Sequence, residues 1–182
     1  MRPVNIRPLN RTDAAIFHAL RLDALMESPE AFGATYEEEV LLSLDVVADR
    51  IDQIQVEPQR VVFGAVEGEA ILGIVGCMQE SRIKSRHKAV VWGCYVHPSA
   101  RGRGLGGELL SHLIAHVAQW DHVDALTLTV VTRAEAARAL YRSVGFTVFG
   151  KELDGLREHG VSDTVEYMSL HLPRRHTALT SE

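Results

Sequence analysis

Between Arg60 and Val131 the spacing of apolar residues changes twice. "RVVFGAVEGEAILGIVGCM" (Arg60 to Met78) holds two β-rich runs about Glu67-Gly68-Glu69, a hairpin signal, and "HKAVVWGCYV" (His87 to Val96) is a third run closed by Pro98. From Gly104 to about Gln119 the spacing is helical, with Leu105, Leu109, Leu113 and Val117 on one line and Leu110 and Ile114 beside it. "DALTLTVV" (Asp124 to Val131) then alternates as a strand again. Few folds accept this order. Strands joined by short connections form an antiparallel meander, whereas a strand reached through a helix returns parallel by a right-handed crossover. The expectation is a mixed sheet, mainly antiparallel, with one parallel step.

The flanking segments extend this plan. "VNIRPL" (Val4 to Leu9) reads as a short edge strand. Asn10 or Thr12 can cap a helix to about Glu27, with Ile16, Phe17, Leu20 and Ala24 as its apolar stripe. Pro29 and Gly33 break "ESPEAFGATYEEE" into a loop or short helical turn, and a second helix is expected over Leu44 to Ile54. Thr132, with Glu135 three places on, fits a capping box. The helix it would open carries Ala137, Leu140, Tyr141 and Val144 and stops at Gly145. "FTVFG" and "DTVEYMSLHL" read as the last strands. The fold class is therefore α/β (α+β): six or seven strands with helices on both faces, one domain over 1–172, and a disordered polar tail over 173–182.

The junction between the third run and its helix is "ARGRGLGGELL" (Ala100 to Leu110), two arginines and four glycines at the mouth of a helix. A helix N-terminus carries unpartnered N–H groups and partial positive charge, which an anion satisfies. Glycines let the backbone approach that anion, so the stretch makes physical sense as a phosphate cradle. A P-loop would need Lys-Ser/Thr after its last glycine, but Glu108 and Leu109 follow Gly107. Gly102, Gly104 and Gly107 match the dinucleotide pattern G-x-G-x-x-G, with Asp121 or Asp124 about twenty residues on. That pattern wants the glycines directly after the strand, and here His97 to Arg101 intervene. A loop that merely turns the chain is the plain alternative.

Composition excludes other classes. Of 182 residues, 46% are hydrophobic, enough for a core, and the formal charge of −5 does not suit a nucleic-acid binder with a basic face. No apolar run approaches the roughly 20 residues of a membrane span, and "MRPVNIRPLNR" lacks a signal-peptide core. Cys77 and Cys94 sit inside apolar runs and read as reduced thiols of a cytoplasmic chain. His112 and His116 are four apart but lack a third ligand spaced for zinc, so no metal is expected.

"CYVHPSARGRGLGGELL" resembles the acetyl-CoA signature of the GNAT superfamily of N-acetyltransferases, with Arg101, Gly104 and Gly106 at its fixed positions after the step Val96-His97-Pro98. A second family signature is similar to Ala137, Leu140, Tyr141, Gly145 and Phe146, in the right order along the chain. "RLDALMESPEAFGATYEEE" and "VVWGCYV" resemble one bacterial branch of the same family. The resemblance implies the GNAT fold, splayed where acetyl-CoA enters as co-substrate. It implies that Cys94, Tyr95 and Val96 lie on the strand that pairs with the pantetheine arm. Gly102, Arg103, Gly104, Leu105, Gly106 and Gly107 would face the pyrophosphate, and Tyr141 would protonate the leaving thiolate. One position departs: the family usually has Asn seven residues before the tyrosine, and here it is Ala134.

The implied reaction is acetyl transfer to a primary amine, of a small molecule or a peptide, in a ternary complex. Nucleic acid and membrane are not expected partners, and a homodimer is compatible with the reading. An alkyl ammonium has a pKa near 10.4, so a base or a water chain must take its proton. Glu37, Glu38 and Glu39 are candidates for the acceptor side, and Glu166 joins them as a candidate base. Consecutive acids at a helix start also suit the dipole as a solvated surface. A non-catalytic acyl-CoA-binding module and a dinucleotide-dependent oxidoreductase remain the alternatives.

Overall fold

The computed structural model describes residues 3–52, 58–158 and 160–173. Seven strands form one sheet: β1 (Asn5–Pro8), β2 (Arg60–Glu67), β3 (Ala70–Gln79), β4 (Lys88–Val96), β5 (Ala125–Val131), β6 (Thr147–Glu158) and β7 (Val161–His171), in the spatial order β1-β2-β3-β4-β5-β7-β6. Among the described residues only β4 and β5 are parallel; every other neighbouring pair is antiparallel. The helices are α1 (Ala14–Glu27), α2 (Tyr36–Glu39), α3 (Leu44–Ile51), α4 (Leu105–Val117) and α5 (Glu135–Ser143).

The alternation of β2 sorts the core into two layers. Val61, Phe63 and Ala65 face one side, where Leu105, Leu109, Leu110, Leu113 and Val117 bury the apolar stripe of α4. Val62 faces the other, against Phe17, Leu20 and Ala24 of α1 and Val47, Ala48 and Ile51 of α3. A fully buried leucine is worth roughly 1.5–3 kcal/mol. The four leucines therefore hold α4 firmly, and with it the glycine turn that precedes it.

Asn10 caps the turn before α1, its side chain accepting from the Thr12 N–H while Asp13 accepts from the Asn10 N–H. Ile16 departs from the expected stripe and is 41% exposed; the buried line is instead Phe17, Arg21 and Leu25, four apart, with Leu20 and Ala24 beside it. α3 ends at Ile51, and the expected end at Ile54 lies outside the described residues, as do 174–182 of the expected tail. The capping box at Thr132 does not form. Its N–H is held by the Thr164 carbonyl at 2.9 Å and the chain then turns, with the Ala134 N–H on the Val131 carbonyl at 3.1 Å; α5 starts later with Ala134 as N-cap and no side-chain cap bond. β6 continues well past "FTVFG", because β7 supplies ladder partners as far as Glu158.

One irregularity sits in β4. Tyr95 pairs with Ile74 and Trp92 with Gly76, so β4 spends three residues where β3 spends two. Gly93 absorbs the extra residue in the left-handed region, at φ 63°.

Candidate active site

β4 and β5 pair only through Lys88–Val90 and Ala125–Thr127. Past Val90 they part, and a cleft of about 560 Å³ opens between the end of β4, the start of α5 and the loop after α1. Cys94, Tyr95, Val96 and Arg101 line it on one side, Leu140 and Tyr141 on the other. A narrower space of about 180 Å³ adjoins it, sharing Phe32, Cys94, Ala134 and Tyr141 and reaching Trp92 and Arg21.

The glycine turn stands at the end of β4. Gly102 and Gly104 have φ of 75° and 79°, and a Cβ on either would meet nothing within 4 Å, so both face open ground. Gly104 is the N-cap of α4 with no side-chain cap bond, which leaves the first-turn N–H groups without an intrahelical partner. Gly106 is different: its Cβ would come to 3.0 Å from Leu140 Cδ2, so its smallness lets α4 close on α5. The Leu105 side chain belongs to the core, so only its backbone can serve a ligand.

Neither arginine of the motif is free. Arg101 donates to Glu27 Oε2 at 2.7 Å and to the Val96 carbonyl at 3.0 Å, and lies 5.7 Å from the Tyr95 ring centroid. The Tyr95 hydroxyl donates to the same carboxylate at 2.7 Å, so the three side chains tie α1 to the end of β4. The two donors hold Glu27 below the usual carboxylate range, and burial, with Glu27 as hydrogen-bond partner, pushes Tyr95 up. Arg103 donates to Glu67 at 2.9 Å, reaching the β2–β3 turn.

Tyr141 is buried, its ring edge-on to Phe146 with centroids 6.1 Å apart. Its hydroxyl lies near the Cys94 thiol, and both residues line the cleft. Burial raises the Tyr141 hydroxyl well above its ordinary pKa and pushes the Cys94 thiol up to about 11.

The acidic candidates lie elsewhere. Glu38 closes a capping box with Thr35, Glu37 is exposed, and Glu39 is buried with Arg50 Nη1 at 3.0 and 3.1 Å from its two oxygens. None of the three lines the cleft. Glu166 is buried under a bidentate pair with Arg138 at 2.8 and 2.9 Å, with Lys151 at 3.6 Å and Arg142 at 3.7 Å. The Arg138 hydrogen bonds hold it below the usual carboxylate range, which suits an ion-pair anchor and not a base. The carboxylates that line the cleft are Glu30 and Glu135. Sequence reasoning passed over Arg21, which the four-residue spacing Phe17-Arg21-Leu25 places on the buried line of α1.

A dinucleotide fold needs a doubly wound parallel sheet. With one parallel pair, this sheet does not provide it. The model of the Acetyltransferase (GNAT) family matches residues 21–146, more than half of the chain. The chain belongs to the GNAT acetyltransferase family. A 5-NmdU N-acetyltransferase of Pseudomonas phage PaMx11 is 42% identical over 60 residues, covering 33% of this chain and 40% of that protein. The L-2,4-diaminobutyric acid acetyltransferase of Vibrio cholerae is 34% identical over 74 residues, 40% of each chain. This GNAT chain thus spans about two-fifths of the length of the curated relatives it matches. The solved structure of yncA from Salmonella typhimurium, with its cofactor acetyl-CoA, superposes with a TM-score of 0.78 at 21% identity, over 95% of this chain and 96% of that one. It shares the GNAT fold.

Proposed function

We propose that this protein transfers an acetyl group from acetyl-CoA to a primary amine. The observation that carries the reading is the cleft where β4 leaves β5, with the glycine turn and bare N-terminus of α4 at one end and the Tyr141 hydroxyl at its wall. The residues fit the co-substrate. Gly102 and Gly104 leave open ground that a side chain would fill, and the first-turn N–H groups of α4 suit a pyrophosphate. Beyond Val90, the β4 edge that faced β5 offers backbone groups to an extended amide arm along Cys94, Tyr95 and Val96.

When bound, acetyl-CoA supplies the acyl group as a thioester. The chain's part is to hold donors and acceptors around the exchange of a C–S bond for a C–N bond. A backbone N–H of β4 near Val96 holds the developing oxyanion. Tyr141 gives its proton to the leaving sulfur and regains one from solvent through the cleft. Glu30, which lines the cleft, would draw the proton released by the amine. Arg101 acts through Glu27 and Tyr95, by setting the end of β4. Free Cys77 and Cys94 suit a reducing, cytoplasmic setting.

The test has two parts. Acetyl-CoA and CoA should raise the melting temperature and NAD(P) should not. An amine panel followed by CoA release should then show turnover. A shift with acetyl-CoA but no turnover on any amine would leave a binding module; no shift at all would remove the reading.

A further inference from the structure

Arg21 is the buried charge that neither the fold nor the proposed chemistry uses. It lies on α1, on the sheet face opposite α4 and its glycine turn, and is only 7% exposed. Its Nη1 is buried and has no hydrogen-bond partner. That nitrogen points at the bulge of β4: a Cβ on Gly93 would lie 3.7 Å from it, and Gly93 is the neighbour of Cys94. The guanidinium lies over the Phe32 ring at 4.6 Å and lines the narrower space that Cys94 and Tyr141 also line. A buried donor on a charged group is costly when unpaired.

Among the described residues no acid makes a hydrogen bond to Nη1. Glu39 attracts Arg21 electrostatically, but its two oxygens accept from Arg50 Nη1 at 3.0 and 3.1 Å. Two guanidiniums therefore share one carboxylate, and Arg21 brings its charge to a pocket whose lining, among the described residues, holds no acid. An anion on the acceptor would complete the set. Nη1 lies beside Gly93, and Cys94 and Tyr141 line the same small pocket, so an anion held by Arg21 and an amine attacking beside Cys94 belong together on one small molecule.

We propose that Arg21 binds a carboxylate of the acceptor, so that the amine acetylated belongs to a small amino carboxylic acid. This rests on the acetyl-transfer reading above and names its substrate class. A planar carboxylate is the anion a guanidinium fork pairs with best. A pocket of about 180 Å³ is of a size for a small amino acid.

The experiment uses matched probes: the twenty common L-amino acids, their carboxamides and their decarboxylated amines, at equal concentration with acetyl-CoA, followed by CoA release. The acids should exceed their amides in kcat/KM by about 10- to 100-fold, the worth of a charge-assisted pair. Arg21→Gln should raise KM for the acid by a similar factor, leave KM for acetyl-CoA unchanged and abolish the preference for acid over amide. Arg21→Lys should retain part of it. Should Arg21→Gln fail to fold, the wild-type comparison of acid with amide decides alone. A second readout needs no turnover: with CoA present, acids should raise the melting temperature and their amides should not. Equal use and equal shifts for acids and amides overturn the proposal while acetyl transfer stands. Absence of any acetyl-CoA shift strikes the underlying reading instead, and the shifts with acids still decide whether Arg21 binds a carboxylate.

Discussion

Tyr141→Phe removes one oxygen from the cleft and little else. The ring that packs edge-on to Phe146 is kept, and the lost contact is a weak one to the Cys94 thiol, so the fold should survive. If the hydroxyl delivers the proton to the leaving sulfur, the loss is that of a general acid, about 10²- to 10⁴-fold in rate. At 1.36 kcal/mol per power of ten this raises the barrier by about 3–5 kcal/mol. The loss should fall on kcat, with KM for acetyl-CoA nearly unchanged. Single-turnover CoA release, read with a thiol dye, isolates the chemical step from product release. Burial keeps Cys94 and Cys77 protonated, so the dye reports on CoA and not on the protein. Because the Tyr141 pKa is raised, the residue stays protonated through about pH 9, and its ionisation should cause no alkaline fall in the wild-type rate. A single-turnover rate for Tyr141→Phe within threefold of wild type would refute the assignment.

Other expectations concern the surroundings. Gly104→Ala places a Cβ at φ 79° in open space, so it should cost about 1–2 kcal/mol of stability through backbone strain alone, measured by urea unfolding, and weaken acetyl-CoA binding besides. Ala134→Asn supplies a side chain to the N-cap of α5 and should raise stability by about 0.5–2 kcal/mol even without acetyl-CoA; a rise seen only with acetyl-CoA present would assign the position to the co-substrate instead. Glu166→Gln should lower the melting temperature at pH 7. The native Glu166 pKa is depressed, so its stabilisation is present above the unfolded carboxylate range and lost as pH falls through the native value; the gap between variant and wild type should close on acidification, and a gap independent of pH would contradict the ion-pair account.

The sheet, its single parallel step and the burial of α4 were legible because each rests on a local period. The stripe Leu105, Leu109, Leu113 and Val117 announces its own buried face. β6 was legible only to Gly150, since "KELDGLRE" carries no alternation and owes its extended form to β7. The cap at Thr132 failed for a related reason: a ladder bond from the neighbouring strand outweighed a local motif. At the site, the glycine turn was legible as a cluster at a helix start, whereas Tyr141 stood out only through its resemblance to the family signature. The pairing of Arg101 with Glu27, 74 residues away, and of Glu166 with Arg138 was not, because nothing local encodes a long-range ion pair. Arg21 falls between these cases, since its spacing from Phe17 and Leu25 carries a signal that hydrophobic counting discards.

The extra residue of β4 changes the parity of the strand. Ala89 and Val91, before Gly93, share a core layer with Cys94 and Val96 after it, while Trp92 and Tyr95 share the other. Odd positions thus face α4 in the first half and even ones in the second. The danger lies in straightening the strand, not in shortening it. If Gly93 were forced into ordinary extended geometry at full length, the Cys94 side chain would turn into the α1 layer and the Tyr95 phenol into the α4 layer, parting the latter from Glu27. Removing Gly93 altogether would restore plain alternation and leave both side chains on their present faces. The bulge thus works as a phase shifter: one glycine in the left-handed region sets which side of the sheet each later residue of β4 serves.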